Sequence, residues 1–319
     1  MGIALLPWMP GLGRAPMRTD WRQPATSRTY LSIGDGAARA WKDHLISPEI
    51  PMETVLDRSR SGLEGFERME LDLNGIRTVV HAGGQGEPVI YLHGAGTFTG
   101  FGYLRPWLAS HRVIIPYHPG FGESADDAGI DSMQDYVLHN LDLFDALGLD
   151  RFSLVGHSFG GWMAAETALV LGARLRRLAL VAPAGLSRQG LAATDLMTLP
   201  ASKVLEHLTA RPERITPFLP SAPDLDFLTL RYRERTAVAR VTWERPSNPK
   251  LIRWLHRIQA PTLICWGGAD RIRSAAHAEL WAGALPNAKI RLYPGAGHLL
   301  LEEEDRTAAE ISGFLQEQD

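Results

Sequence analysis

The stretch FSLVGHSFGGWMAAE, Phe152 to Glu166, decides the reading of this 319-residue chain. A run of strand-forming residues meets Gly156-His157-Ser158-Phe159-Gly160, and helix formers follow. The spacing is G-x-S-x-G, set between a strand and a helix. A nucleophile lifted clear of so sharp a corner sits in strained backbone, and its neighbours two residues away must pass very close. Side chains at 156 and 160 would collide, so both are glycine. The serine lies at the start of the next helix, where backbone N–H groups and the helix dipole favour developing negative charge. Ser158 is therefore a candidate nucleophile; its plain alternative is a helix-capping serine.

Outward from the corner, strand and helix patterns alternate. MELDLNGIRTVV alternates apolar and polar residues about Asn74-Gly75, a hairpin signal. PVIYLHG, RVIIPYHPGFGES, LRRLALVAPAG, PTLICWGGAD and KIRLYPGAG read as buried strands running into loops. Helical spacing marks SMQDYVLHNLDLFDALG, WMAAETALVLG, AAHAELWAGAL and the closing EEEDRTAAEISGFLQEQ. Glu302, Glu303 and Glu304 at the start of that last helix suit its positive end. The alternation predicts an α/β fold, a doubly wound, mostly parallel sheet covered on both faces.

Nearly 70 residues between Ala184 and about Lys250 break the rhythm with helical patches, prolines and no buried strand. A loop of that length needs structure of its own, so it reads as a helical insertion over one edge of the sheet. The expected division is an N-terminal extension over 1–65, core over 66–184, cap over 185–250 and core again over 251–319. Residues 1–65 are rich in Pro, Arg and Ser, with one helix expected at 37–46. The apolar start lacks a basic n-region and is interrupted by Pro7 and Pro10, so it reads as a loose arm, with Met17 as an alternative start.

Composition narrows the partners. A net charge of −3 gives no reason to expect nucleic acid or a membrane surface. The cluster Arg231, Arg233 and Arg235, interrupted by Glu234, reads as a solvated face. Cys265 is the single cysteine, so no intrachain disulfide forms; a thiol in an apolar run reads as a small buried hydrophobe. That suits a cytoplasmic protein. A homo-oligomer is compatible with the sequence.

A serine hydroxyl needs a base, and the base needs a carboxylate to fix its tautomer. His298, in YPGAGHLLLEEE, follows the last strand at the same end of the sheet as Ser158. His157 adjoins the serine and is expected to point away from it. Asp270, in CWGGADRIR, follows the preceding strand at its carboxyl end. The chain order Ser158, Asp270, His298 is the order Ser…Asp…His of this architecture. For an oxyanion, the N–H of Phe159 and of Ala95 in HGAGTFTG are expected donors, with Gly96 as the fallback. His93 would brace that loop.

At this point the chain resembles the α/β-hydrolases, from about Phe66 to Asp319. His93-Gly94, the serine corner, Asp270, His298 and HPGFGES occupy that family's usual places. The resemblance implies a mostly parallel sheet, a cap after the sixth strand and no cofactor. Serine at 158 argues against the members that carry Asp there, the dehalogenases and epoxide hydrolases. His118 stands where the family usually has Asp before PGFG, and the sequence gives that change no function.

The first functional expectation is a carboxylesterase acting on small or medium apolar acyl esters through an acyl-enzyme. Phe98, Trp162, Met197 and Phe218 are its expected pocket, with Phe101, Phe159, Leu196 and Leu199 as further candidates. The alternative is a carbon–carbon bond hydrolase of vinylogous diketones, because CWGGADR and GHSFGGW resemble the ring-cleavage-product hydrolases. Against it, HGAGTFTG departs from the Gly-Pro-containing loop usual there. A small-molecule receptor on the same fold is a third, weaker reading.

Overall fold

The computed structural model describes residues 60–318, apart from Ala192. The helix expected at 37–46 lies outside the described residues. Eight strands form one sheet: β1 (Glu67–Leu73), β2 (Ile76–Gly83), β3 (Glu87–Leu92), β4 (His111–Pro116), β5 (Phe152–His157), β6 (Leu175–Val181), β7 (Thr262–Gly267) and β8 (Ala288–Tyr293). Their order is β1-β2-β4-β3-β5-β6-β7-β8. β1 and β2 form the hairpin that Asn74-Gly75 promised; both residues have positive φ, the requirement of a two-residue turn that follows strand twist. β2 meets β4 antiparallel, and every pairing from β4 to β8 is parallel.

Strand periodicity divides the interior in two. Ile90, Leu92, Leu154, Leu178, Leu180, Ile264 and Trp266 face α1 (Met133–Ala146), α2 (Phe159–Leu171) and α6 (Ala276–Ala282). Val89, Tyr91, Val155, Ala179, Val181 and Cys265 face the 3-10 helix Gly102–Ala109 and α8 (Asp305–Gln316). Cys265 is buried among them, and burial pushes its thiol up to about 12. α1 starts at a capping box, in which Ser132 and Asp135 each satisfy the other's backbone N–H.

Between β6 and β7 lie α3 (Ala201–Leu208), α4 (Pro212–Ile215) and α5 (Leu225–Thr242), with no strand among the described residues. Two isolated bridges, Gly185 to Ser247 and Ala193 to Arg273, tie this insertion to itself and to the core. It has its own apolar cluster, in which Leu208 and Ile215 pack with Phe98, Ile272 and Leu299 of the core.

Three expectations need correction. Residues 60–65, assigned to the extension, pack on the core: Leu63 is buried, and the Ser61 carbonyl accepts the Phe101 N–H at 2.8 Å. The single closing helix is two, α7 (Leu300–Glu303) and α8, so Glu302 and Glu303 are not simply dipole partners of α8. The Arg231–Arg240 run is not a solvated face. Glu234 is fully buried, Arg233 donates to the carbonyls of Gly122 and Ser124, and Arg240 pairs with Asp126.

Candidate active site

The sheet order builds the site. β3 and β5 are neighbours, with Leu92 opposite Gly156, so the loop after β3 lies beside the serine corner. At that corner Ser158 has φ 53° and ψ −112°, a conformation that L-residues avoid. The Ser158 N–H is held by the Val181 carbonyl at 2.9 Å. A Cβ on Gly156 would stand 2.4 Å from the Gly160 carbonyl oxygen. One on Gly160 would stand 2.1 and 2.3 Å from the carbonyl oxygens of Leu92 and His93. Both glycines are therefore a steric condition of the turn.

The three residues expected to act together are brought together. His298 Nε2 lies 2.8 Å from Ser158 Oγ, and His298 Nδ1 lies 2.8 Å from Asp270 Oδ2. The consistent assignment has the serine O–H donating to Nε2 and Nδ1–H donating to the carboxylate. Asp270 Oδ1 also accepts the N–H groups of Ile272 (2.8 Å) and Arg273 (3.0 Å), and Oδ2 accepts Trp266 Nε1–H at 3.1 Å. Burial alone would push the Asp270 carboxyl up. The charge of His298 and these hydrogen bonds outweigh it and hold Asp270 below its ordinary value.

Ala95 and Phe159 line the same cavity as Ser158 and His298. Among the described residues no acceptor takes the N–H of either. Two free donors beside a nucleophile are what a developing oxyanion requires. His93 braces the Ala95 loop as expected: its Nδ1–H donates to the Gly94 carbonyl at 2.8 Å and its Nε2 accepts the His118 N–H at 3.3 Å. His118 acquires a role here, since its Nε2–H donates to the His93 carbonyl at 3.1 Å and its ring lies 3.9 Å from that of His93. Burial lowers both imidazoles, His93 to about 4, so both act as neutral struts. His157 does lie on the cavity wall, with Nε2–H donating to the His298 carbonyl at 2.9 Å. Burial, then the neighbouring His298, lower it to about 3, which suits a brace.

The cavity wall includes Phe98, Trp162 and Met197 of the expected pocket, together with Phe159 and Leu196. Phe218 does not line it. It is partly buried and packs against the insertion's apolar cluster. Phe101 belongs to the core on the other sheet face.

Sequence reasoning missed three cations and one acid of the wall. Arg231, Arg235 and Arg273 all face the cavity. The Arg231 guanidinium lies 4.6 Å from the Phe98 ring centroid and 3.2 Å from Glu234 Oε2. Glu234 in turn accepts the Thr97 N–H at 3.1 and 3.2 Å and the Thr97 hydroxyl, so α5 grips the loop that carries Ala95. A signal was available: Leu230, Glu234, Ala237 and Val238 share one buried stripe at helical spacing. Arg235 donates through Nη2 to the Leu196 carbonyl at 2.7 Å and through Nε to Met197 sulfur at 3.4 Å, and no described carboxylate pairs with it. Glu302 is the acid. Among the described residues no group of three or more His, Cys, Asp or Glu could hold a metal ion. No described helix is long and apolar enough to cross a membrane.

Comparison with known proteins places this geometry. The profile of the alpha/beta hydrolase family matches residues 89–310. The 2-hydroxy-6-oxo-6-phenylhexa-2,4-dienoate hydrolase of Burkholderia cepacia is 30% identical over 254 residues, covering 72% of this chain and 87% of that protein. The 2-hydroxymuconate semialdehyde hydrolase of Pseudomonas putida is 28% identical over 279 residues, covering 77% and 92%. Among solved structures, a meta-cleavage product hydrolase from Pseudomonas fluorescens IP01 superposes with a TM-score of 0.67 at 22% identity, covering 77% of this chain and 96% of that one. A bacterial membrane phospholipase A superposes with a TM-score of 0.65 at 21% identity, covering 88% and 94%. At those identities the structural likeness concerns the fold alone.

Proposed function

This chain belongs to the alpha/beta hydrolase family, and we propose that within it the chain is a carbon–carbon bond hydrolase of 2-hydroxy-6-oxo-dienoates. Ser158, His298 and Asp270 are the proposed catalytic residues, with Ala95 and Phe159 as oxyanion donors. The observation that carries the reading is Arg235, a cation with no carboxylate partner among the described residues, on a cavity wall that also carries Phe98, Trp162 and Met197. An ester of a simple apolar acid has no use for that charge; a dienoate carboxylate does. The names of the most similar relatives support the same class, which moves the carboxylesterase expectation to second place.

The reaction asks more than ester hydrolysis, because a carbanion is a far worse leaving group than an alkoxide. The dienol first becomes the keto tautomer, which lets the departing electron pair spread into the dienoate. Ser158 Oγ then adds to the C6 carbonyl carbon while His298 Nε2 takes its proton, and the oxygen that becomes negative meets the N–H groups of Ala95 and Phe159. Collapse breaks the C5–C6 bond, and His298 returns the proton to the carbon fragment. Water, deprotonated by His298, cleaves the acyl-enzyme and releases the carboxylic acid and Ser158. Arg235 holds the carboxylate so that C6 sits over the serine. Arg231 serves differently, since Glu234 already compensates its charge.

The test is a substrate panel. A 6-aryl 2-hydroxy-6-oxo-dienoate should exceed short-chain p-nitrophenyl esters in kcat/KM. Arg235→Met should lower kcat/KM for the dienoate about 10²-fold, roughly 2.7 kcal/mol, and change p-nitrophenyl acetate turnover less than threefold. An ester preference of about a hundredfold, untouched by Arg235→Met, would return the reading to a carboxylesterase.

A further inference from the structure

The proposed chemistry leaves Glu302, an acid of the cavity wall, unused. Glu302, four residues beyond His298 on α7, lines the same wall as Thr99 and Tyr103. Its Oε1 accepts the Thr99 hydroxyl at 2.9 Å. Its Oε2 is shielded from solvent and has no hydrogen-bond partner. A carboxyl oxygen left in that state costs free energy, and the side chain that carries it lines a cavity whose occupant can supply the partner. No described Lys or Arg side chain pairs with Glu302; Arg214 reaches only its backbone carbonyl. The Tyr103 hydroxyl stands on the same wall, 3.1 Å from the Tyr91 hydroxyl.

Burial raises the Glu302 carboxyl to about 7, with the Thr99 hydrogen bond opposing it. Near neutral pH the group is present both as an acid, which donates and accepts, and as a carboxylate, which accepts. A ligand hydroxyl matches either form, because it too both donates and accepts. A ligand carboxylate does not, since the ionised form repels it. That separates the two ends of a dienoate substrate: the carboxylate belongs with Arg235, and the other arm belongs with Glu302.

We propose that Glu302, with Thr99 and Tyr103, is a recognition point for a neutral hydroxyl on the 6-acyl arm of the substrate. This rests on the dienoate reading for the name of the arm, but the recognition itself requires no bond cleavage. The chain is then selective for ring-fission ketones whose 6-substituent is hydroxylated, over those whose 6-substituent is a bare hydrocarbon or carries a carboxylate.

Isothermal titration with acetophenone and its three ring-hydroxylated isomers tests the point, since none of these ketones is cleaved. At least one isomer should bind wild-type protein about five- to tenfold more tightly than acetophenone, the worth of one hydrogen bond to a buried group. Glu302→Leu should reduce that preference to less than twofold while acetophenone affinity stays within about twofold of wild type. Should the leucine variant fail to fold, Thr99→Val and Tyr103→Phe remove the other hydroxyls of the wall, and at least one should cut the preference threefold. Equal binding of all four ketones by wild type overturns the proposal, as does a preference that survives Glu302→Leu or, if that variant does not fold, both hydroxyl deletions. Absence of dienoate turnover with the preference intact would overturn the reaction assignment and leave this site standing.

Discussion

The serine corner and helix α5 both present polar residues to one cavity, yet they are specified in different ways. At the corner, Gly156, Ser158 and Gly160 answer to one local steric problem, and their contacts lie within a few residues or on adjacent strands. On α5, Arg231, Glu234 and Arg235 look like an ordinary alternation of charges. Their meaning depends on Thr97, Phe98 and Leu196, at least 39 residues away in sequence. Chemistry fixed by short-range geometry is written as a motif. Chemistry fixed by long-range packing is written as charges whose partners are elsewhere.

The largest effect expected from breaking this pair of regions is at the corner. Ser158→Ala removes the proposed nucleophile but leaves both glycines and the turn. Turnover should fall by about 10⁴-fold or more, with the melting temperature within about 2 °C of wild type. Stopped-flow or endpoint assays beside a thermal melt check both halves. A variant that keeps substantial activity would remove Ser158 from the chemistry.

The second test unfastens α5 from the loop. Glu234→Gln keeps the shape but presents an amide N–H₂ to the donors of Thr97 and leaves Arg231 without its charge partner. Stability should drop by about 2–3 kcal/mol, read as a shifted denaturation midpoint. The rate should drop about tenfold, because the loop carrying Ala95 loses its anchor. Unchanged activity together with lost stability would make Glu234 a structural tie with no bearing on the oxyanion site.

The smallest effect concerns pH. The Glu302 carboxyl is raised to about 7 from an ordinary 4.5, so between those values the folded chain holds a proton that the unfolded chain has released. This contribution to stability is complete below about pH 4.5 and is lost as pH rises through 7. The groups that face Glu302 are Thr99, Tyr91, Tyr103, Glu303 and His298. Glu234 is raised as well, by burial against the opposing charge of Arg231, and slopes in the same sense. Glu302→Gln should remove about 2 kcal/mol of the fall in stability between pH 5 and 7.5, measured by urea denaturation. An unaltered slope would assign it to Glu234.

Much of the site was legible because short-range patterns carry it. Apolar runs ending in glycine loops located β3 through β8, and their parallel order put Ser158, Asp270 and His298 at one end of the sheet. His118 was not legible. Its partner His93 is 25 residues away, and only the pairing of β3 with β4 makes one ring support the other's loop. The segment CWGGADR reads as a class resemblance, and nothing in it shows that the Trp266 indole N–H holds Asp270. Phe218 was misplaced for the opposite reason, since an aromatic side chain in the insertion can fill its own small core as easily as a cavity.

By itself the sequence determined the fold class, the serine corner and the chain order of its partners. These rest on strand and helix periodicity and on glycine sterics, which act over a few residues. Only the tertiary structure decided what Arg231, Glu234, Arg235 and Glu302 face. A charged side chain on a helix reads the same whether water, an ion-pair partner or a cavity lies opposite it. The free energy that separates those cases comes from burial, and burial is set by segments remote in the chain.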